Sequence, residues 1–206
     1  PIVADGTVVL ATPSGVFALS LRDGTELWRQ NLSPATVESP IEYGEELVSP
    51  VATGERVFCP TADGIVALAF DDGGIVWRAE DVAGTGIPAT TGDGLIVPTT
   101  EGVTVLDARN GSRRWMGSTD AKLPAVSDGT VVTGGERTGA LDAATGDRQW
   151  TAPADSSGFP VVADGTVYLG TGDGLIGRSL SDGSERWRVD RGRFLFPPVV
   201  TPDSVY

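Results

Sequence analysis

Apolar and polar positions along this chain alternate in short runs that glycine turns interrupt. The segment Phe159 to Asp190 shows the pattern most clearly. Pro160-Val161-Val162-Ala163 is a short apolar run, and Asp164-Gly165 is a turn of the kind that closes two-residue hairpins. Val167-Tyr168-Leu169 follows as a β-rich run, then the turn Gly172-Asp173-Gly174, then the run Leu175 to Leu180. A further turn, Ser181-Asp182-Gly183, leads into Glu185-Arg186-Trp187-Arg188. The pattern predicts four short antiparallel strands joined by tight turns. No stretch sustains an apolar period of 3.6 residues, so little or no helix is predicted.

The same pattern recurs along the whole chain. Trp28, Trp77, Trp115, Trp150 and Trp187 are spaced 49, 38, 35 and 37 residues apart. Each has a glycine four residues earlier: Gly24, Gly73, Gly111, Gly146 and Gly183. Upstream lie two more turns per unit, one ending at Gly15, Gly64, Gly102, Gly139 or Gly174 and one of the Asp-Gly type, as at Asp5-Gly6, Asp128-Gly129 and Asp164-Gly165. A proline opens each unit, at Pro1, Pro50, Pro88, Pro124 and Pro160. Four strands per unit of about 38 residues predict an all-β fold, a β-propeller of four-stranded antiparallel blades. The predicted blades cover residues 1–30, 50–80, 88–117, 124–152 and 160–190, with an insertion at 29–49 and a partial sixth blade at 196–206.

The turns before three tryptophans read LDARNGSRRW (Leu106–Trp115), LDAATGDRQW (Leu141–Trp150) and SLSDGSERW (Ser179–Trp187). They resemble the PQQ-like propeller repeat, whose blades end in an Ala-x-Asp-x-x-x-Gly-x-x-x-Trp type docking motif. The resemblance implies that Trp28, Trp77, Trp115, Trp150 and Trp187 are structural, each packing between neighbouring blades, with Asp107 and Asp142 as the motif carboxylates. Ser20 and Ala69 stand at the Asp position in the first two blades, which leaves their inter-blade hydrogen bond open. Burying both faces of a four-stranded blade requires a neighbour, and a large ring covers roughly 150–250 Å² of it. Propellers of this family have seven or eight blades. Five blades and part of a sixth are therefore expected to be a piece of a larger propeller, with a self-closing five-bladed ring as the alternative.

Composition narrows the chemistry. The chain has 206 residues, 40% hydrophobic and 21% charged, with 28 Gly and 14 Pro, which suits a packed fold rich in turns. It contains no His, which removes His-based triads, His-ligated zinc and haem, and His acid–base relays from this stretch. The single Cys59 excludes an intrachain disulfide and any Cys-x-x-Cys site. No apolar run approaches the roughly 20 residues that span a bilayer, so no transmembrane segment is predicted here. The net charge is −13, and Lys122 is the one lysine among 15 basic residues. Nucleic acid and anionic lipid are repelled by such a chain. Scattered carboxylates with lysine almost absent predict an acidic, halophilic surface, of the kind a halophilic archaeon uses to stay soluble in molar salt.

Few features carry candidate chemistry. The interval from Trp28 to the next opening proline is 22 residues, against 11, 9, 10 and 10 for the later ones. It holds Glu38, Glu42, Tyr43, Glu45 and Glu46, a possible interaction loop on a repeat scaffold. Gly84-Thr85-Gly86 and Gly170 to Gly174 lack the following helix that a phosphate loop needs. Asp71-Asp72-Gly73 is a turn, with no calcium loop of the Asp-x-Asp-x-Asp-Gly type around it. Asn31-Leu32-Ser33 and Asn110-Gly111-Ser112 match the glycosylation pattern, but Pro34 follows the first and a tight turn explains the second. Cys59 lies in a strand and reads as a small buried hydrophobe.

The resemblance implies a non-enzymatic cell-envelope scaffold of the BamB type that binds a protein or peptide partner, with no catalytic residue, metal or cofactor. The alternatives it leaves open are an extracytoplasmic sensor domain of a larger protein and part of a quinoprotein dehydrogenase. Only the last would use PQQ and calcium. The extracytoplasmic location is likewise implied by the family.

Overall fold

The computed structural model describes residues 1–38, 45–117, 124–134, 137–153, 160–190, 192, 198–201 and 204–205. Every regular element among them is a β-strand. The first blade is β1 (Ile2–Ala4), β2 (Thr7–Thr12), β3 (Gly15–Ser20) and β4 (Glu26–Gln30), paired in that order. A two-stranded hairpin follows, β5 (Thr36–Glu38) with β6 (Glu45–Leu47). The second blade is β7 (Val51–Ala52), β8 (Arg56–Thr61), β9 (Gly64–Ala69) and β10 (Ile75–Ala79). The third is β11 (Ala89–Thr91), β12 (Gly94–Thr99), β13 (Gly102–Asp107) and β14 (Arg113–Gly117). The fourth is β15 (Ala125–Ser127), β16 (Thr130–Thr133), β17 (Arg137–Asp142) and β18 (Arg148–Pro153). The fifth is β19 (Val161–Ala163), β20 (Thr166–Gly170), β21 (Gly174–Ser179) and β22 (Glu185–Asp190). A last hairpin pairs β23 (Val200–Thr201) with β24 (Ser204–Val205), within the stretch expected to begin a sixth blade. The fold is the expected β-propeller of four-stranded antiparallel blades.

The turn chemistry follows the sequence. Asp5, Asp128 and Asp164 have φ of 46°, 48° and 48°, and the glycines after them have φ of 73°, 71° and 66°. Two consecutive positive φ values are what the two-residue hairpin of a right-twisted ribbon demands, and Asp-Gly accepts them with least strain.

The molecule divides into two compact units. The first comprises Pro1–Thr100 and Leu106–Ser112, the second Glu101–Val105 and Arg113–Tyr206. In the first unit, Val9, Val16, Ala18 and Trp28 of one blade pack with Val57, Cys59, Val66, Leu68 and Phe70 of the next. The opposite face of that second blade gives Phe58, Ile65, Ala67 and Trp77, which pack with Leu95, Val97, Leu106 and Ala108. In the second unit, Val132, Ala140 and Trp150 pack with Val167, Leu169 and Leu180. A strand's period of two sends alternate residues to opposite faces, so an inner blade with neighbours on both sides needs nearly unbroken apolar runs. β8 and β9 are such runs, buried along almost their whole length.

Candidate interaction surface

One joint recurs between successive blades. Trp28 donates its indole Nε1 to the carbonyl oxygen of Phe70 at 2.8 Å. Trp77 donates to Ala108 at 3.1 Å, Trp115 to Ala143 at 3.0 Å and Trp150 to Leu180 at 2.7 Å. Each acceptor follows the motif position, occupied by Ala69, Asp107, Asp142 and Ser179. Its own N–H is tied back to the first turn of its blade: Phe70 to Glu55, Ala108 to Asp93, Ala143 to Gly129 and Leu180 to Gly165. The carbonyl is thereby held in place before any ring arrives.

The ring itself lies on a glycine. A Cβ on Gly73, Gly111, Gly146 or Gly183 would lie 2.5, 2.6, 2.7 or 2.5 Å from a ring carbon of Trp28, Trp77, Trp115 or Trp150, respectively. These glycines also have φ between 70° and 79°, so turn geometry and ring contact both select the residue. The constant Gly-to-Trp spacing is visible in the sequence. Which tryptophan meets which glycine is not, because the ring comes from the preceding blade.

This geometry answers the question that Ala69 raised. The acceptor is a backbone carbonyl, so Trp28 is bonded to the second blade although Ala69 stands at the motif position. The carboxylates of Asp107 and Asp142 both accept from N–H groups of their own turns. Asp107 Oδ1 accepts from the N–H of Arg109 at 2.9 Å. Asp142 Oδ1 accepts from the N–H groups of Thr145 and Ala144, both at 2.9 Å, and these bonds hold its carboxyl below the usual carboxylate range. Trp187 is half-buried and lies 5.8 Å from the Tyr168 ring; among the described residues its indole donates no hydrogen bond.

The insertion leaves the first blade after β4 on a buried stem. Pro34 forms an antiparallel bridge with Thr61. Ala35 N–H donates to the Pro60 carbonyl at 2.9 Å, and Val48 N–H to the Ala35 carbonyl at 2.8 Å. Ala35 and Val48 are 6% and 2% exposed. The stem thus extends the β7 side of β8 and fixes the root of the β5–β6 hairpin. Glu38, Glu45 and Glu46 are placed by its register, with Glu38 opposite Glu45. Glu42 and Tyr43 lie outside the described residues.

A groove of about 510 Å³ opens beside the stem. The β2–β3 turn supplies Ser14, the approach to the stem Asn31 and Ser33, the β8–β9 turn Asp63, and the end of β10 Arg78 and Glu80. Its lining is mainly polar, with two carboxylates and one guanidinium, which suits an extended peptide better than an apolar small molecule. The sequence did not single out this groove, because its residues come from four separate segments of two blades.

The residues a quinone cofactor could use have other roles among the described residues. Four tryptophans have their indoles committed to blade joints. Among the described residues no group of three His, Cys, Asp or Glu side chains is placed to hold a metal. Cys59 is buried with no partner cysteine, and burial pushes its thiol up to about 12.

Residues 1–189 match the family described as outer membrane protein assembly factor BamB. Among solved structures, BamB from Moraxella catarrhalis superposes with a TM-score of 0.76 at 25% identity, over 99% of this chain and 64% of that one. The chain therefore spans less than two thirds of that relative. A europium-containing methanol dehydrogenase gives 0.70 at 16% identity, over 91% of this chain and 50% of that one. Quinohemoprotein alcohol dehydrogenase from Comamonas testosteroni gives 0.67 at 16%, over 92% and 42%. These two likenesses are of fold. No curated protein sequence matches the chain.

Proposed function

The chain belongs to the outer membrane protein assembly factor BamB family, and from that membership we propose that it is a non-enzymatic binding scaffold of the cell envelope, working outside the cytoplasm on a protein or peptide partner. The observation that carries this reading is the likeness to a BamB structure over 99% of the chain at 25% identity, against 16% for the dehydrogenases. The β5–β6 hairpin with its adjoining groove is the contact surface in this reading. Its stem is pre-ordered by backbone hydrogen bonds, which lowers the entropy cost of holding a partner. The carboxylates of Glu38, Glu45 and Glu46 favour a basic or cation-bridged partner. In molar salt the screening length falls to about 3 Å, so such attraction acts only at contact. No cofactor enters this function.

Affinity capture from envelope extract in molar KCl tests the proposal. The immobilised chain is expected to retain a discrete protein that the E45R/E46R variant releases. Equal retention by both would remove the hairpin from the surface. Saturable binding of PQQ with calcium would overturn the scaffold reading in favour of a dehydrogenase.

A further inference from the structure

One of the joint turns carries a reactive pair of residues. The residue before the joint glycine is Asp23, Asp72, Asn110, Thr145 or Asp182 in successive blades. In all five its side-chain oxygen accepts from the backbone N–H two residues on, at 2.8 to 3.2 Å. The third blade alone has a carboxamide there. A carboxamide is open to attack by the backbone nitrogen of the next residue, with ammonia as the leaving group. A carboxylate resists the same attack through its charge, and a threonine has no carbonyl carbon to offer. At Asn110 the next residue is Gly111, which has no Cβ to block the approach. The other asparagine of the chain, Asn31, is followed by Leu32, whose Cβ crowds the nitrogen.

The closed joint restrains this pair. The Gly111 N–H, whose nitrogen is the nucleophile, donates to the Asp107 carbonyl at 2.8 Å. Asn110 Oδ1 accepts from the Ser112 N–H at 2.9 Å. The Trp77 ring covers Gly111, so that a Cβ there would lie 2.6 Å from a ring carbon, and the Trp77 bond to the Ala108 carbonyl holds the ring in place. Asn110 itself is exposed, so water already reaches it. What the reaction lacks is a loosened turn, and the turn loosens only when Trp77 leaves Gly111.

We propose that Asn110 is a self-modification site gated by the joint between the second and third blades. The Gly111 nitrogen loses its proton to solvent and bonds to Asn110 Cγ. The Cγ–Nδ2 bond breaks, and ammonia leaves with a proton from solvent. The five-membered imide so formed has no hydrogen on its nitrogen, so the bond to the Asp107 carbonyl is lost. Water then opens the imide at one of its two carbonyls. Opening at Cγ gives aspartate at position 110, which the same turn already accepts at Asp23, Asp72 and Asp182. Opening at the backbone carbonyl gives isoaspartate, in which the main chain runs through Cγ and is one carbon longer. The close packing of Trp77 on Gly111 leaves no room for that shift, so the ring no longer docks. Isoaspartate thus marks, irreversibly, a chain whose joint has opened.

Incubation of the whole chain at mildly alkaline pH tests this, followed by peptide mapping that separates aspartyl from isoaspartyl products. Conversion at position 110 is expected to be at least about tenfold slower in the folded parent than in urea, because it proceeds through local opening. W77F keeps a ring but loses the bond to the Ala108 carbonyl, so it should convert faster than the parent, with Asn31 unchanged. In the isoaspartyl fraction, indole N–H exchange should quicken at Trp77 and not at Trp28, whereas N110D should match the parent at both. The two readouts on the parent chain stand even if W77F fails to fold. Equal rates in the folded and unfolded parent, a folded W77F that converts no faster, or an isoaspartyl fraction with unchanged Trp77 exchange would each overturn the proposal.

Discussion

Gly24 and Gly73 differ in one physical respect, and that difference isolates what a tryptophan ring adds to a joint. Both have φ near 70°, so alanine at either position carries a left-handed strain of about 1–2 kcal/mol. At Gly73 the new methyl would also displace the Trp28 ring, at an overpacking cost of about 1–3 kcal/mol. G73A is therefore expected to lose more stability in urea than G24A by about that second amount. Equal losses would mean the ring contact is soft. Trp28→Ala should cost about 3–5 kcal/mol, since it empties a buried site and leaves the Phe70 carbonyl unpaired.

Two titrating groups give predictions of opposite sign. Burial raises the Cys59 thiol to about 12 from a reference of 9.0, so the folded state keeps its proton where the unfolded chain has lost it. Stability should then fall as pH rises from about 9 toward 12, by about 1.4 kcal/mol per pH unit. Replacing Cys59 by Ala should flatten that alkaline slope, and thiol reagents should modify Cys59 only as the chain unfolds. The Asp142 carboxyl is held low by two backbone N–H groups, so its contribution is present above the unfolded carboxylate range and is lost as pH falls through the folded value. D142A should weaken the acid-side dependence while leaving the Trp115 bond to the Ala143 carbonyl in place. Loss of that bond in the variant, read from indole N–H exchange, would contradict a backbone acceptor.

At the scale of the element, strand and turn chemistry were legible in the sequence because they are local. Asp164-Gly165 predicts a hairpin turn from two residues, and the structure places both at positive φ. The joints were only half legible. The Gly-to-Trp spacing repeats in plain view, but the ring that fills Gly73 comes from Trp28, one blade earlier. The motif left the bond at Ala69 open, and the joint there closes on the Phe70 backbone carbonyl although Ala69 carries no side-chain oxygen. The hairpin was legible only as excess length. Its stem depends on Pro34 meeting Thr61 across 27 residues, a non-local pairing with no local signature. Placing a charge at Val48, which is 2% exposed, should release the hairpin root while sparing the blades. Faster amide exchange at Ala35 with unchanged exchange in β8 would be the expected readout.

At the scale of the whole molecule, charge and recognition meet. A net charge of −13 with one lysine leads to the prediction that the unfolding midpoint rises steeply as KCl increases to molar levels. A midpoint indifferent to salt would remove the halophilic reading and leave the propeller untouched. The claim that matters most is that this propeller binds a protein partner through the β5–β6 hairpin. The most direct measurement is site-specific photo-cross-linking in the native envelope, with the reactive side chain at position 46 and, as control, at the exposed turn position 147. A single discrete protein adduct at position 46 and none at 147 is the predicted result. No adduct at 46, or the same adducts at both positions, would contradict the claim.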